Sequence, residues 1–124
     1  MKRIIILAIL ILSLSSCASQ EEKKRDVSRI ATLQSIAANL ETYYMDNIEY
    51  PKNLDNISSY KDPKEWETIN GCTFWYKYEV LKSKDWIENG AFRLSTCLES
   101  ASNQEKAKND WGIYDDKFEV YSGL

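Results

Sequence analysis

Apolar residues recur through the first half of the chain at alternating steps of three and four: Ile30, Leu33, Ala37, Leu40 and Tyr44. That spacing places them on one stripe of a 3.6-residue helix. Arg29, Thr32, Ser35, Asn39 and Asp46 fall largely off the stripe. The pattern predicts an amphipathic helix of roughly 20 residues, about 30 Å long at 1.5 Å per residue, running from Asp26 and stopping before Pro51. Asp26 is suited to cap its start, because a carboxylate accepts hydrogen bonds from the free amides of the first turn and complements the positive end of the helix dipole. At the far end Asn47 is the residue best able to take the left-handed conformation that terminates a helix, and Pro51 biases Tyr50 away from helical geometry.

Beyond Pro51 the periodicity changes. Leu54 and Ile57 make one apolar turn, and Asp62-Pro63 suits the N-cap and first position of a short helical turn through Trp66. Three strand patterns follow. Phe74, Tyr76, Tyr78 and Val80 alternate with polar or outward positions over Thr73 to Leu81, and Phe92, Leu94, Thr96 and Leu98 do so over Ala91 to Leu98. Asn89-Gly90 marks the connector between them as a hairpin. Lys117 to Tyr121 supplies a third strand with Phe118 and Val120 inward. The expected fold is α+β: a long N-terminal helix packed against a small antiparallel sheet of about three strands.

Length and charge narrow the function. The chain has 124 residues, a formal net charge of −3 and no histidine. There is room for one small domain, and nothing suggests a nucleic-acid partner. Without histidine, Ser-His and Cys-His nucleophile systems and His-ligated metal sites are excluded.

The first residues read as a targeting segment. Lys2 and Arg3 form a positive region, Ile4 to Leu12 an apolar core, and Leu14-Ser15-Ser16-Cys17 a small-residue site ending in cysteine. That tetrapeptide resembles the bacterial lipobox, which implies cleavage before Cys17 and acylation of its thiol. The rival readings are an uncleaved signal anchor or a simple secretory peptide. The apolar run of about 11 residues falls short of the roughly 20 that span a bilayer. Two acyl chains at one residue would supply the two signals that stable anchoring needs. The expected division is a lipoprotein signal peptide over 1–16, a lipidated cysteine and polar tether over 17–25, and an α+β domain over 26–124. The tether Ala18 to Arg25, with mixed charge over Glu21 to Arg25, would reach on the order of 25 Å if extended. The expected location is extracytoplasmic, lipid-anchored to the cell membrane or the outer membrane.

Within the helix, Leu40-Glu41-Thr42-Tyr43-Tyr44-Met45-Asp46-Asn47-Ile48-Glu49-Tyr50-Pro51 resembles the end of the long helix in type II secretion major pseudopilins and related pilin-like proteins. Those proteins carry a Leu-Glu-x-Tyr-Tyr-x-Asp-Asn-Gly-x-Tyr-Pro run. The likeness covers about a dozen residues strongly and implies a pilin-like head. Ile48 stands where the family has glycine. A β-branched residue disfavours positive φ, so the left-handed turn is expected to be taken by Asn47 or made differently. The family's long apolar stem and its processing site are missing. The resemblance therefore implies a pilin-like domain on a lipid anchor, able to touch a pilus or secretion apparatus but not to polymerise as a standard subunit.

If Cys17 is acylated, Cys72 and Cys97 remain, at adjoining ends of the expected hairpin. An exported chain is free to oxidise them, closing a loop of about 25 residues with roughly 3 kcal/mol of stabilisation in the chain-entropy estimate. A simple register sets Cys97 opposite Trp75, so the bridge needs a bulge or a shift.

Candidate chemistry is sparse, and no cofactor is expected. Asn109, Asp110, Asp115 and Asp116 gather oxygen ligands of the kind calcium takes, with a solvated acidic loop as the simpler reading. Glu41 and Asp46 are explained as surface helix residues. Trp66, Trp75, Trp86 and Trp111 offer aromatic surface for a ligand, with Trp75 expected to face solvent or a covering loop, Trp86 at the hairpin tip and most of the rest in the core. The expected function is a non-catalytic, membrane-anchored interaction module with a protein partner in the envelope. The alternative is a small envelope ligand- or calcium-binding protein, or an enzyme, using the loop Asn109 to Asp116.

Overall fold

The computed structural model describes residues 20–55, 57, 68–69, 71–74, 76–108 and 117–122, together with the helical backbone that precedes residue 20. Helix α1 covers Lys2–Asn47. It is followed by β1 (Thr68–Ile69), β2 (Cys72–Thr73), β3 (Lys77–Leu81), β4 (Ala91–Cys97), α2 (Ala101–Ala107) and β5 (Lys117–Ser122). β1 and β2 form a small antiparallel pair, and β3, β4 and β5 an antiparallel sheet with β4 in the centre. The chain is thus an α+β domain with a long N-terminal helix on a three-stranded sheet. The turn expected from Asp62-Pro63 through Trp66 lies outside the described residues.

Packing between α1 and the sheet follows the alternation of the strands. Leu33, Ile36 and Leu40 meet Tyr50 and the even-numbered residues Phe92 and Leu94, flanked by Tyr78, Val80, Phe118 and Val120. Leu54 and Ile57 close the side of this core, with Ile57 N donating to Leu54 O at 2.9 Å. The buried stripe of α1 is Asp26, Arg29, Leu33, Ile36 and Leu40. It keeps the three-four alternation but is rotated from the expected face. Ile30, Ala37 and Tyr44 are half-buried flanks, and Ile36 lies at the centre. Arg29, expected off the stripe, is fully buried. The reason is that the stripe meets two surfaces: its C-terminal half meets apolar strands, and its N-terminal half meets a corner of the chain that supplies matching charges.

Two further expectations are corrected at the start of α1. Residues 18–25 are helical rather than an extended tether. Lys24 Nζ pairs with Glu21 one turn earlier, at 3.0 Å, a spacing that suits a helix surface. Asp26 therefore stands inside the helix and caps no terminus of α1.

Helix α1 stops before Pro51 as expected, with Asn47 its last residue, but Ile48 rather than Asn47 takes the left-handed conformation, with φ 61°. Its amide donates to Tyr44 O at 2.7 Å, the single bond of an αL cap. Asn47 Nδ2 instead donates to Tyr43 O at 2.9 Å. A side chain with a Cβ pays about 1–2 kcal/mol for that backbone, and Ile48 is 73% exposed, so burial returns little of it. Ile48→Gly is expected to stabilise the fold by about 1 kcal/mol, read as a higher denaturant midpoint. A lower midpoint would mean that contacts of the isoleucine outweigh its backbone strain.

The strand expected over Thr73 to Leu81 is broken in two. Residues 72–73 pair with β1, Phe74 turns into a buried cluster with Cys72 and Cys97, and β3 begins at Lys77. From there Lys77 faces Ser95 and Leu81 faces Ala91. Between β3 and β4 the chain makes a loop with Trp86 at φ 62° and Asn89 at φ 54°. Asn89 O accepts from Tyr50 N at 2.8 Å and Asn89 Nδ2 donates to Glu49 Oε2 at 3.3 Å, which ties the loop to the exit of α1. Gly90 is required by space: a Cβ there would meet Ile87 and Ser83 atoms at 3.0 Å.

Helix α2 was not expected. Its N-cap is Ser100, whose hydroxyl accepts from Asn103 N at 3.3 Å, and Ala101, Gln104, Glu105, Lys106 and Ala107 are good helix formers.

Candidate functional site

Four charged side chains meet where α1 crosses the corner between β4 and α2. Asp26 accepts from Glu99 N at 2.8 Å, Ser100 N at 2.9 Å and Asn103 Nδ2 at 3.2 Å. Its carboxylate satisfies backbone amides at the entry to α2, the role expected of it at the entry to α1. Arg29 Nη1 donates to Asp26 Oδ1 at 3.0 Å and lies 2.7 Å from Glu99 Oε1. Arg25 grips Glu99 with two bonds, each 2.8 Å. The Arg29 guanidinium also stacks on Phe74, 4.1 Å from the ring centroid. Two cations and two anions thus neutralise one another in a nearly dry site.

Burial alone would raise the Glu99 carboxyl. The hydrogen bonds from Arg25 and Arg29, with their positive charges, outweigh it and lower the pKa to about 2. Glu99 stays ionised under ordinary conditions, and the cluster acts as a clamp.

The disulfide Cys72–Cys97 forms, with the two Cα atoms 6.0 Å apart. The sheet register does run Cys97 towards position 75, since Lys77 faces Ser95. The bridge is reached because β2 leaves that ladder and pairs with β1. Trp75 itself lies outside the described residues.

Odd-numbered residues of the sheet face away from α1. Lys77 and Glu79 of β3, Arg93, Ser95 and Cys97 of β4, and Lys117 and Glu119 of β5 share this face. Arg93 pairs with Glu79 at 3.4 Å and with Glu119 at 3.3 Å. Beside the disulfide, this face and the β1–β2 turn enclose a cleft of about 240 Å³ between Lys77, Ser95, Lys117 and Gly71. Ser95 is fully buried, and its hydroxyl has no hydrogen-bond partner. Thr96 Oγ1, on the α1 side, shares that condition. An unsatisfied buried hydroxyl costs on the order of 1–3 kcal/mol.

The end of α1 carries a different feature. Ile48 is 73% and Trp86 82% exposed, both on left-handed backbone. Trp86 thus sits at the hairpin tip, as expected. Nearby, the Tyr78 hydroxyl donates to Pro51 O at 2.6 Å, and burial pushes its pKa up to about 12, so it remains a donor. Glu41 accepts from the Tyr50 hydroxyl at 3.1 Å, a packing role, and Asp46 is exposed.

Cys17, Trp66 and Trp111, together with the candidate calcium ligands Asn109, Asp110, Asp115 and Asp116, lie outside the described residues. Among the described residues no group of three or more metal-ligating side chains comes together, and no helix is long and apolar enough to cross a membrane. The buried clamp and the cleft were both missed from sequence. The clamp had a signal, since Asp26 and Arg29 continue the spacing of Leu33, Ile36 and Leu40. The cleft had none, because its walls come from four strands, β2 to β5. No family model, no curated protein and no solved structure matches this chain.

Proposed function

We propose that this chain is a bacterial lipoprotein with a pilin-like head, anchored through Cys17 and serving as a non-catalytic interaction module of the cell envelope. The observation that carries the reading is the Leu14-Ser15-Ser16-Cys17 site, from which α1 continues as a helix into the head. A helix from Cys17 to Arg25 is a stiff stalk of about 12 Å, shorter than an extended tether. Arg25 is already bonded to Glu99 of the sheet corner. A head held in this way would stand close to the membrane in a fixed orientation. Its far end would present Ile48 and Trp86, two large apolar side chains held in solvent on strained backbone, a pattern that favours a docking role. The Leu40 to Pro51 run supports the pilin-like assignment, and the partner would be an envelope protein or part of a pilus or secretion apparatus.

Mass spectrometry of the mature protein tests the anchor. The expected N-terminus is Cys17 carrying diacylglycerol, with palmitate among its acyl chains. An intact Met1, or an unmodified thiol at Cys17, would overturn the assignment.

A further inference from the structure

We propose that the cleft beside the disulfide is a binding site for a small organic anion, a carboxylate or phosphate, whose oxygens take the Ser95 hydroxyl and the Lys77 and Lys117 ammonium groups. The starting observation is Ser95. It is fully buried in the central strand, yet its hydroxyl has no partner in the protein. Its neighbours across the two ladders are Lys77 on β3 and Glu119 on β5, while Lys117 faces Cys97 two residues further along β4. The described residues of this face include three cations, Lys77, Arg93 and Lys117, and two carboxylates, Glu79 and Glu119. Lys77 also contacts Glu79 at 3.1 Å, which fixes one side of its ammonium beside the cleft.

Size argues for a molecule larger than solvent. The cleft of about 240 Å³ would take several waters at about 30 Å³ each, so no one water position is dictated by its shape. Rigid walls favour a fixed ligand. The Cys72–Cys97 bridge holds β2 against β4. The turn at Gly71, at φ 79°, has no atom within 4 Å of a notional Cβ, so the rim stays open there. A donor hydroxyl between two ammonium groups recognises an oxyanion by hydrogen bonds assisted by charge. The site is independent of the lipid anchor.

The full chain in detergent micelles, titrated with citrate and in parallel with inorganic phosphate at matched ionic strength, tests the proposal, with chloride as the control. Saturable binding of citrate or phosphate is expected, moving the amide resonances of Ser95 and Gly71 and raising the Tm, and the tighter of the two probes identifies the anion class. Ser95→Ala should weaken binding roughly tenfold while leaving the free protein as stable or more so. Met45→Ala, at an exposed position near the end of α1 and away from the cleft lining, should leave binding unchanged. Lys117→Gln should weaken binding by a similar factor to Ser95→Ala. Shifts no larger than those from chloride would overturn the site, as would equal loss of binding in the Ser95 and Met45 variants.

Discussion

Leu40→Asp is expected to abolish cooperative folding. Leu40 is fully buried in the core formed with Leu33, Ile36, Tyr50, Phe92 and Leu94. Removing such a side chain costs about 2–5 kcal/mol, and an ionised carboxylate placed there adds a desolvation penalty that no described cation offsets. The arginines of the clamp are of no help. Arg29 lies eleven residues earlier, about 16 Å along the helix. Set against a total stability of about 5–15 kcal/mol for a small domain, the sum removes the folded state. Circular dichroism during heating checks it, with Leu40→Ala as a graded control that should melt lower but still cooperatively. A Leu40→Asp protein that melts like its parent would show that the packing of α1 is wrong.

The second large effect is expected at Arg29. Arg29→Ala should cost about 3–5 kcal/mol, because it leaves the buried carboxylates of Asp26 and Glu99 without their shared cation and uncovers Phe74. Glu99→Gln should cost less, since Asp26 still pairs with Arg29. The double variant should be less destabilised than the sum of the two single changes, as coupled neighbours are not additive. The same cluster sets an acid limit. Glu99 has a folded-state pKa of about 2 against an ordinary value of 4.5, so the folded state binds this proton less readily than the unfolded chain. Its contribution is complete above the ordinary value and is lost as pH falls towards about 2. Denaturant unfolding across this range should give a flatter pH slope for Glu99→Gln than for the parent. Parallel slopes would assign the acid sensitivity elsewhere.

Much of the architecture is legible in local pattern. The three-four spacing marks α1, the alternation of Phe92, Leu94 and Thr96 marks the central strand, and Phe118 with Val120 marks β5. Each is a repeat of a few residues, set by helix or strand geometry alone. The misread positions share one cause. Asp26 has the side chain of a helix cap, and it performs that chemistry for an amide run more than seventy residues away in sequence. Arg29 breaks the apolar stripe yet is buried, because Glu99 and Phe74 are waiting for it. Ile48 is a poor choice for positive φ by its own preference, and the αL bond to Tyr44 with the docked loop at Asn89 holds it there.

By itself, then, the amino-acid order determined the fold class, the central and last strands of the sheet and the pairing of two cysteines. These depend on short-range periodicity and on hydrophobic burial, which a linear pattern records. Tertiary structure alone decided which face of α1 turned inward, that a neutral cluster of four charges would clamp it to the β4–α2 corner, and that Ser95 would lie buried beside two lysines. Those outcomes depend on the desolvation of charged and polar groups, whose sign is set by partners that only the folded chain brings within bonding distance.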